Sequence, residues 1–139
     1  SKEEFYKTKV EVFIPAALEQ MIQEEEAKWI NAIVIAEGAN APTTPGGERI
    51  LIERGIEVLP AILCNAGGVT VSYFEWVQNK TYQMWDLEHV DRELNKHMVK
   101  AASKTRDARR KYNCDLRSAA YIAACERLNQ AYAARGIFP

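Results

Sequence analysis

The sequence predicts an α/β fold, the second half of a doubly wound parallel sheet followed by C-terminal amphipathic helices. Three observations carry this. Short β-branched and aromatic runs occur at residues 10–14 (VEVFI), 32–36 (AIVIA) and 56–59 (IEVL). Their starts lie roughly 22–24 residues apart, the length of one strand, one helix and two short loops. From residue 85 onward the pattern changes to apolar residues stepping by three or four along a polar background, the mark of amphipathic helices.

The elements follow in order. The first run stops at Pro15, and Leu18, Met21, Ile22 and Trp29 then recur at helical spacing, with Glu24, Glu25 and Glu26 as a solvent face. The second run ends at Glu37-Gly38; after Pro42 and Pro45 a short helix is expected over 48–53, ended by Gly55. The third run stops at Pro60. Continuous apolar runs separated by helices imply parallel strands buried on both faces, with right-handed crossovers. Residues 1–80 therefore read as a β-α-β-α-β mononucleotide-binding half plus the helix after its third strand. Residues 81–139 read as a helical segment packing on the same domain. In it Leu87, Val90, Leu94, Met98 and Ala102 mark a long helix to about Tyr112, with Asn113 as its stop. Asp115 can cap a last helix whose stripe is Leu116, Ala119, Ala120, Ala123, Leu128, Ala131 and Tyr132, ended by Gly136. Tyr73, Phe74 and Trp76 are expected in the core.

Composition narrows the function. The 139 residues suit one domain, and 18 Lys+Arg against 19 Asp+Glu leave a net charge of −1, so no basic field draws in nucleic acid. The apolar runs fall far short of the roughly 20 residues of a membrane span, and SKEEFYKTK is not a secretory leader. Cys64, Cys114 and Cys125 are scattered without metal-ligand spacing, which points to unpaired thiols in a reducing compartment. His89 and His97 sit about two helical turns apart with no Cys, Asp or Glu to complete a metal site, so no metal is expected. The basic stretch 100–111 (KAASKTRDARRK) reads as a solvated face or a contact with an acidic neighbour.

Nucleotide chemistry would show in the glycines. None of the seven forms G-x-G-x-x-G or a Walker A loop, so the first half of a Rossmann-like fold is not in this stretch. Two turns after predicted strands are more informative: 36–40 (AEGAN) and 65–72 (NAGGVTVS). Both fall at the carboxyl edge of the sheet, where ligands bind in open α/β folds. Gly67 and Gly68 allow close backbone approach. A helix starting near Val69 would point free N–H groups at an anion such as a carboxylate, with Ser72 in its first turn adding a hydroxyl. Asn65 can donate to and accept from a carboxamide or a ribose hydroxyl. The same residues also suit a plain tight turn with an Asn cap. Cys64 lies near this edge without a base to activate it.

Longer segments add a resemblance. PAALEQ (15–20), AEGANAPTTP (36–45) and NAGGVTVSYFEWVQN (65–79) closely resemble the coenzyme domain of the glutamate dehydrogenase family, and DLRSAAYIAACERL (115–128) resembles its C-terminal helix. The resemblance covers essentially the whole chain, in order. It implies that Asn40 and Asn65 contact the nicotinamide end of NAD or NADP, that the backbone of Ala16 and Ala17 lies along the coenzyme riboses, and that Val69 and Ser72 line the substrate side-chain pocket. Ser72 would hydrogen-bond the side-chain carboxylate of L-glutamate or 2-oxoglutarate, where relatives acting on Leu, Phe or Val are expected to carry an apolar group. The chain departs from the family pattern at Ala61, usually acidic, and at Gly46-Gly47, usually acidic-Ala, which should weaken that helix start by about 1 kcal/mol per interior Gly.

The family's catalytic Lys and Asp belong to an N-terminal substrate domain, and its pyrophosphate loop to the first half of the coenzyme domain. Neither is in these residues, so no catalytic residue is assigned. The expectation is the C-terminal portion of an NAD(P)-dependent glutamate dehydrogenase that deaminates L-glutamate to 2-oxoglutarate and ammonia. Its partner would be the missing substrate domain, its assembly a homo-oligomer, hexameric in the complete enzyme. No long insertion stands between Trp76 and Leu87, which suggests a small bacterial-type form, in the cytoplasm rather than the mitochondrial matrix. The rival readings are a catalytically incomplete scaffold module and a dehydrogenase of an apolar amino acid. The unpaired sheet edge before Val10 should make the isolated chain associate.

Overall fold

A computed structural model describes residues 1–136. They form two compact units, Ser1–Tyr73 and one from Phe74 onward.

The first unit opens with a helix the sequence reading missed, α1 (Lys2–Lys7). Ser1 Oγ accepts from the Glu4 N–H at 3.2 Å and the chain-terminal amine donates back to Glu4 Oε2 at 2.6 Å, a reciprocal capping box. Strand β1 (Val10–Phe13) and β2 (Ala32–Ala36) match the first two runs, and β3 (Glu57–Leu59) starts one residue into the third. The strands pair in parallel in the order β1-β2-β3. Ile35 lies in register with Phe13 on one side and Val58 on the other. This row meets Tyr6, Ile22, Ala27, Ile30 and Leu51 in the core.

The crossover helices are shorter or longer than the spacing suggested. Helix α2 covers only Glu24–Trp29. Residues 18–23 are instead non-helical, with a turn at 19–20 and a bridge from Ile22 to the loop after β2. Gln20 N–H donates to Ala41 O and Ile22 N–H to Pro42 O, both at 2.9 Å, while Gln20 takes the left-handed conformation at φ 52°. Leu18, expected on a buried stripe, is exposed. Glu26 is no solvent-face residue: it is buried, with Lys2 Nζ at 2.6 Å and the Gln23 N–H at 2.9 Å on its carboxylate. Helix α3 (Pro45–Glu53) starts earlier than expected, because Thr44 caps it and Pro45 fits its first position. Arg54, just past α3, donates to the carbonyls of Ala27 and Ile30 and so covers the carboxyl end of α2.

The expectation of burial on both sheet faces is corrected. Val12, on the face opposite the row of Phe13, Ile35 and Val58, is more than half exposed, as is Ile14 just past the strand. The helices α2 and α3 lie with the core row; in this chain the remaining apolar strand positions keep their contact with water.

After β3 come a single turn, α4 (Ala61–Cys64), and the longer α5 (Ala66–Thr81), whose residues from Phe74 belong to the second unit. There Phe74 is buried, its ring 5.5 Å from those of Trp85 and His97. Tyr73 and Trp76 are exposed, contrary to the core placement expected of them. Helix α6 (Leu87–Tyr112) is capped by Asp86 and ends at Asn113 in the left-handed conformation. Helix α7 (Leu116–Arg135) is capped by Asp115 and ends at Gly136. The two pack as a helical hairpin that buries Thr105 and Ala108 of α6 and Ala119 and Ala120 of α7. The small residues let the backbones approach; further along the predicted stripe Leu128 and Tyr132 are exposed.

Candidate functional site

Three loops leave the carboxyl ends of the three parallel strands in the first unit, and they enclose an open cleft of about 630 Å³. The loop after β1 supplies Ala16 and Ala17, the loop after β2 supplies Gly38 to Asn40, and the α4–α5 junction supplies Asn65 and Val69. Leu18 and Glu19, which the sequence reading placed on a helix, complete the rim. Parallel strands all end on the same side, so their following loops must converge; this is why ligands gather there.

Backbone hydrogen bonds fix the spacing of the loops. The Pro15 carbonyl accepts from both Gly38 N–H (3.1 Å) and Ala39 N–H (2.9 Å). Glycine fits closely at 38: an added Cβ would stand 3.0 Å from the Ala16 Cβ. On the other side Glu37 N–H donates to Leu59 O at 3.1 Å. The Glu37 side chain is fully buried, and its Oε2 accepts from the Ala61 N–H at 2.8 Å.

Asn40 and Asn65 come together: Asn65 Nδ2 donates to Asn40 Oδ1 at 2.8 Å. Each carboxamide uses one of its polar ends in that bond. The bond leaves the Asn40 Nδ2 amide, a donor group, and the Asn65 Oδ1, an acceptor, outside the pair, on two residues that line the cleft. A ligand carboxamide has the matching acceptor and donor.

The α5 end differs from expectation. Helix α5 begins at Ala66, not near Val69, and Gly67 and Gly68 lie inside its first turn. Ser72 is thus in the second turn. Its hydroxyl donates to the Gly68 carbonyl at 3.2 Å, and it lies outside the cleft lining, one helical turn from Val69, which is in it. At Gly68 an added Cβ would meet nothing within 4 Å, so the backbone there stays open to an approaching group.

Cys64 sits where its thiol is favoured over the thiolate. Burial pushes its thiol up, and the Glu37 charge adds to this while a backbone hydrogen bond from Glu37 opposes it. The thiol donates to the Leu59 carbonyl at 3.5 Å. Among the described residues no group of three or more His, Cys, Asp or Glu is placed to hold a metal ion. His89 stacks by Trp85 at 4.5 Å and His97 by Phe74. Among the described residues no helix is long and apolar enough to cross a membrane.

Glu37, the residue that links two of the three loops, escaped the sequence reading. The available sign was an acidic residue directly at the end of an apolar strand.

Comparison with known proteins gives the family. The chain is 48% identical over 139 residues to the glutamate dehydrogenase of Thermotoga maritima, covering 100% of this chain and 33% of that protein. It is 45% identical over 136 residues to the NAD-specific glutamate dehydrogenase of Clostridioides difficile, covering 98% of this chain and 32% of that one. The structure of the hetero-hexameric glutamate dehydrogenase from Thermus thermophilus, in a leucine-bound form, superposes with a TM-score of 0.92 at 30% identity, covering 100% of this chain and 33% of that chain. The chain thus spans about a third of the length of the curated relatives it matches. The family model for glutamate, leucine, phenylalanine and valine dehydrogenases matches residues 1–136, and the chain belongs to that family.

Proposed function

We propose that the chain forms the nicotinamide-side half of the coenzyme site of a glutamate dehydrogenase. The observation that carries this reading is the Asn40–Asn65 pair, held at the carboxyl edge of the sheet with one amide donor and one acceptor left over. A nicotinamide carboxamide can pair with both, which would fix the ring's rotation and hence which face meets the substrate. Ala16 and Ala17, on the facing loop, offer backbone and no bulky side chain to a ribose. The coenzyme, when bound, would accept a hydride from the α-carbon of the amino acid; the resulting imine hydrolyses to 2-oxoglutarate and ammonia. The names of the C. difficile and Halobacterium salinarum relatives, NAD-specific, favour NAD.

The substrate side falls to Val69 and Ser72. Val69 gives an apolar wall. The Ser72 hydroxyl can turn from the Gly68 carbonyl toward a substrate carboxylate, exchanging a neutral acceptor for a charged one, a gain typical of charge-assisted bonds. The acid–base groups would come from an N-terminal substrate domain, so this chain supplies binding and orientation. With that reading go assembly into oligomers and a cytoplasmic location.

The test is titration of the chain with nicotinamide mononucleotide, followed by the side-chain amide signals of Asn40 and Asn65. Both are expected to shift, and Asn65→Ala is expected to weaken binding. Unmoved amide signals at saturating ligand would refute the reading. In the complete enzyme Ser72→Ala should raise the glutamate KM while leaving the coenzyme KM unchanged.

A further inference from the structure

We propose that Glu37 is a positioning residue whose buried side chain ties the Asn40 loop to the Asn65 loop and so sets the spacing of the amide pair. This rests on the reading of that pair as the nicotinamide contact. Glu37 precedes Asn40 by three residues, and its carboxyl reaches across to the Ala61 N–H, four residues before Asn65, at 2.8 Å. Its own N–H continues the β2–β3 ladder to Leu59 O.

The arrangement is not what capping alone needs. Helix α4 has Pro60 before it, and no side chain of that residue caps its first turn. A Ser or Asp at that position would reach the N–H of Ile62 or Leu63 and leave that of Ala61 unmet. Instead the acceptor comes from 24 residues away and belongs to a residue with no exposure to water. Full burial of a carboxyl group is costly unless its hydrogen bonds are made. A long-range acceptor does what a local one cannot: it makes the distance between two loops part of the same hydrogen-bond geometry. The other loop pair is already set by the two N–H groups on Pro15 O, so residues 37–39 hold both neighbours of the central loop.

The test uses the whole chain with Glu37→Ala and Glu37→Gln. In Glu37→Ala the Ala61 amide should lose protection from hydrogen exchange and the Asn40 and Asn65 side-chain signals should move, with no ligand present. Affinity for nicotinamide mononucleotide should fall roughly tenfold, the scale of one buried hydrogen bond lost. Glu37→Gln keeps an acceptor for the Ala61 N–H and should recover protection, amide signals and most of the affinity. If Glu37→Ala does not fold, Glu37→Asp serves in its place: one methylene too short, it should lose Ala61 protection. Unmoved Asn signals with native affinity in Glu37→Ala or Glu37→Asp would overturn the proposal, as would a Glu37→Gln chain no better than the alanine variant. If the wild-type chain fails to bind the mononucleotide, the coenzyme reading falls alone, because the ligand-free amide signals still report on the tie.

Discussion

A methyl group added at Gly38 should force apart the two loops that meet at the cleft. An ideal Cβ there lies 3.0 Å from the Ala16 Cβ, and 3.5 Å from both the Ala16 Cα and the Ile14 Cγ2. Carbon pairs settle at about 3.5–4.0 Å, so the loops must give by a few tenths of an ångström. They are not free to do so, because Gly38 N–H and Ala39 N–H both hold Pro15 O, at 3.1 and 2.9 Å. Overpacking of this kind costs about 1–3 kcal/mol. Gly→Ala also narrows the unfolded ensemble, which returns about 0.4–1 kcal/mol. The net expectation for Gly38→Ala is a loss of about 1 kcal/mol. The assay is urea unfolding of the whole chain followed by tryptophan fluorescence, run as a double-mutant cycle with Ala16→Gly, which removes the opposing Cβ. The two changes should couple by at least about 0.5 kcal/mol, as contacting residues do. An equal cost of Gly38→Ala in both backgrounds would show that the Ala16 contact is not the cause.

Two further expectations concern charge. At Glu26, burial pushes the carboxyl up, but the Lys2 and Gln23 hydrogen bonds outweigh it and hold the group below its ordinary value of 4.5. Because the folded value is depressed, the stabilisation is complete above the unfolded value and lost as pH falls through the folded one. Urea midpoints measured from about pH 5 to about pH 3 should therefore drop more steeply in the wild-type chain than in Glu26→Gln; parallel curves would refute this. Asp115 caps α7 through the Ser118 N–H at 2.8 Å and the Ser118 hydroxyl at 2.7 Å, so Asp115→Ala should cost about 0.5–2 kcal/mol in thermal unfolding of the helical hairpin, with Asp115→Asn costing much less.

How much of this was legible depended on the range of the interaction responsible. Ala32–Ala36, Asn113, Asp115 and Gly136 were readable because a buried strand and a helix end are local matters of side-chain branching, capping and positive φ. Residues 18–23 misled for the opposite reason. Leu18, Met21 and Ile22 fall at helical spacing, yet the backbone of Gln20 and Ile22 is claimed by residues 41–44, with a parallel bridge between Ile22 and Thr43. That pairing has no trace in a local window. Helix α1 is too short to show a period, and its one sign, Ser1 with Glu4 three residues on, was overlooked. At the site, Asn40 and Asn65 were found through the strand-end rule and the family resemblance, and the structure joins them. The start of α5 was misplaced because Gly67-Gly68 reads as a turn, while here both glycines fit a helical first turn. Glu37 showed as an acidic strand end, but its tie to Ala61 was not legible because only the fold brings the two together.

The carbonyl of Pro15 has one further consequence. A single oxygen anchors two successive amides of the central loop, so rotating one peptide plane unfastens both together. When the Pro15 carbonyl swings away, both amides of the rim are released at once, and hydrogen exchange at Gly38 and Ala39 should report a common opening rate.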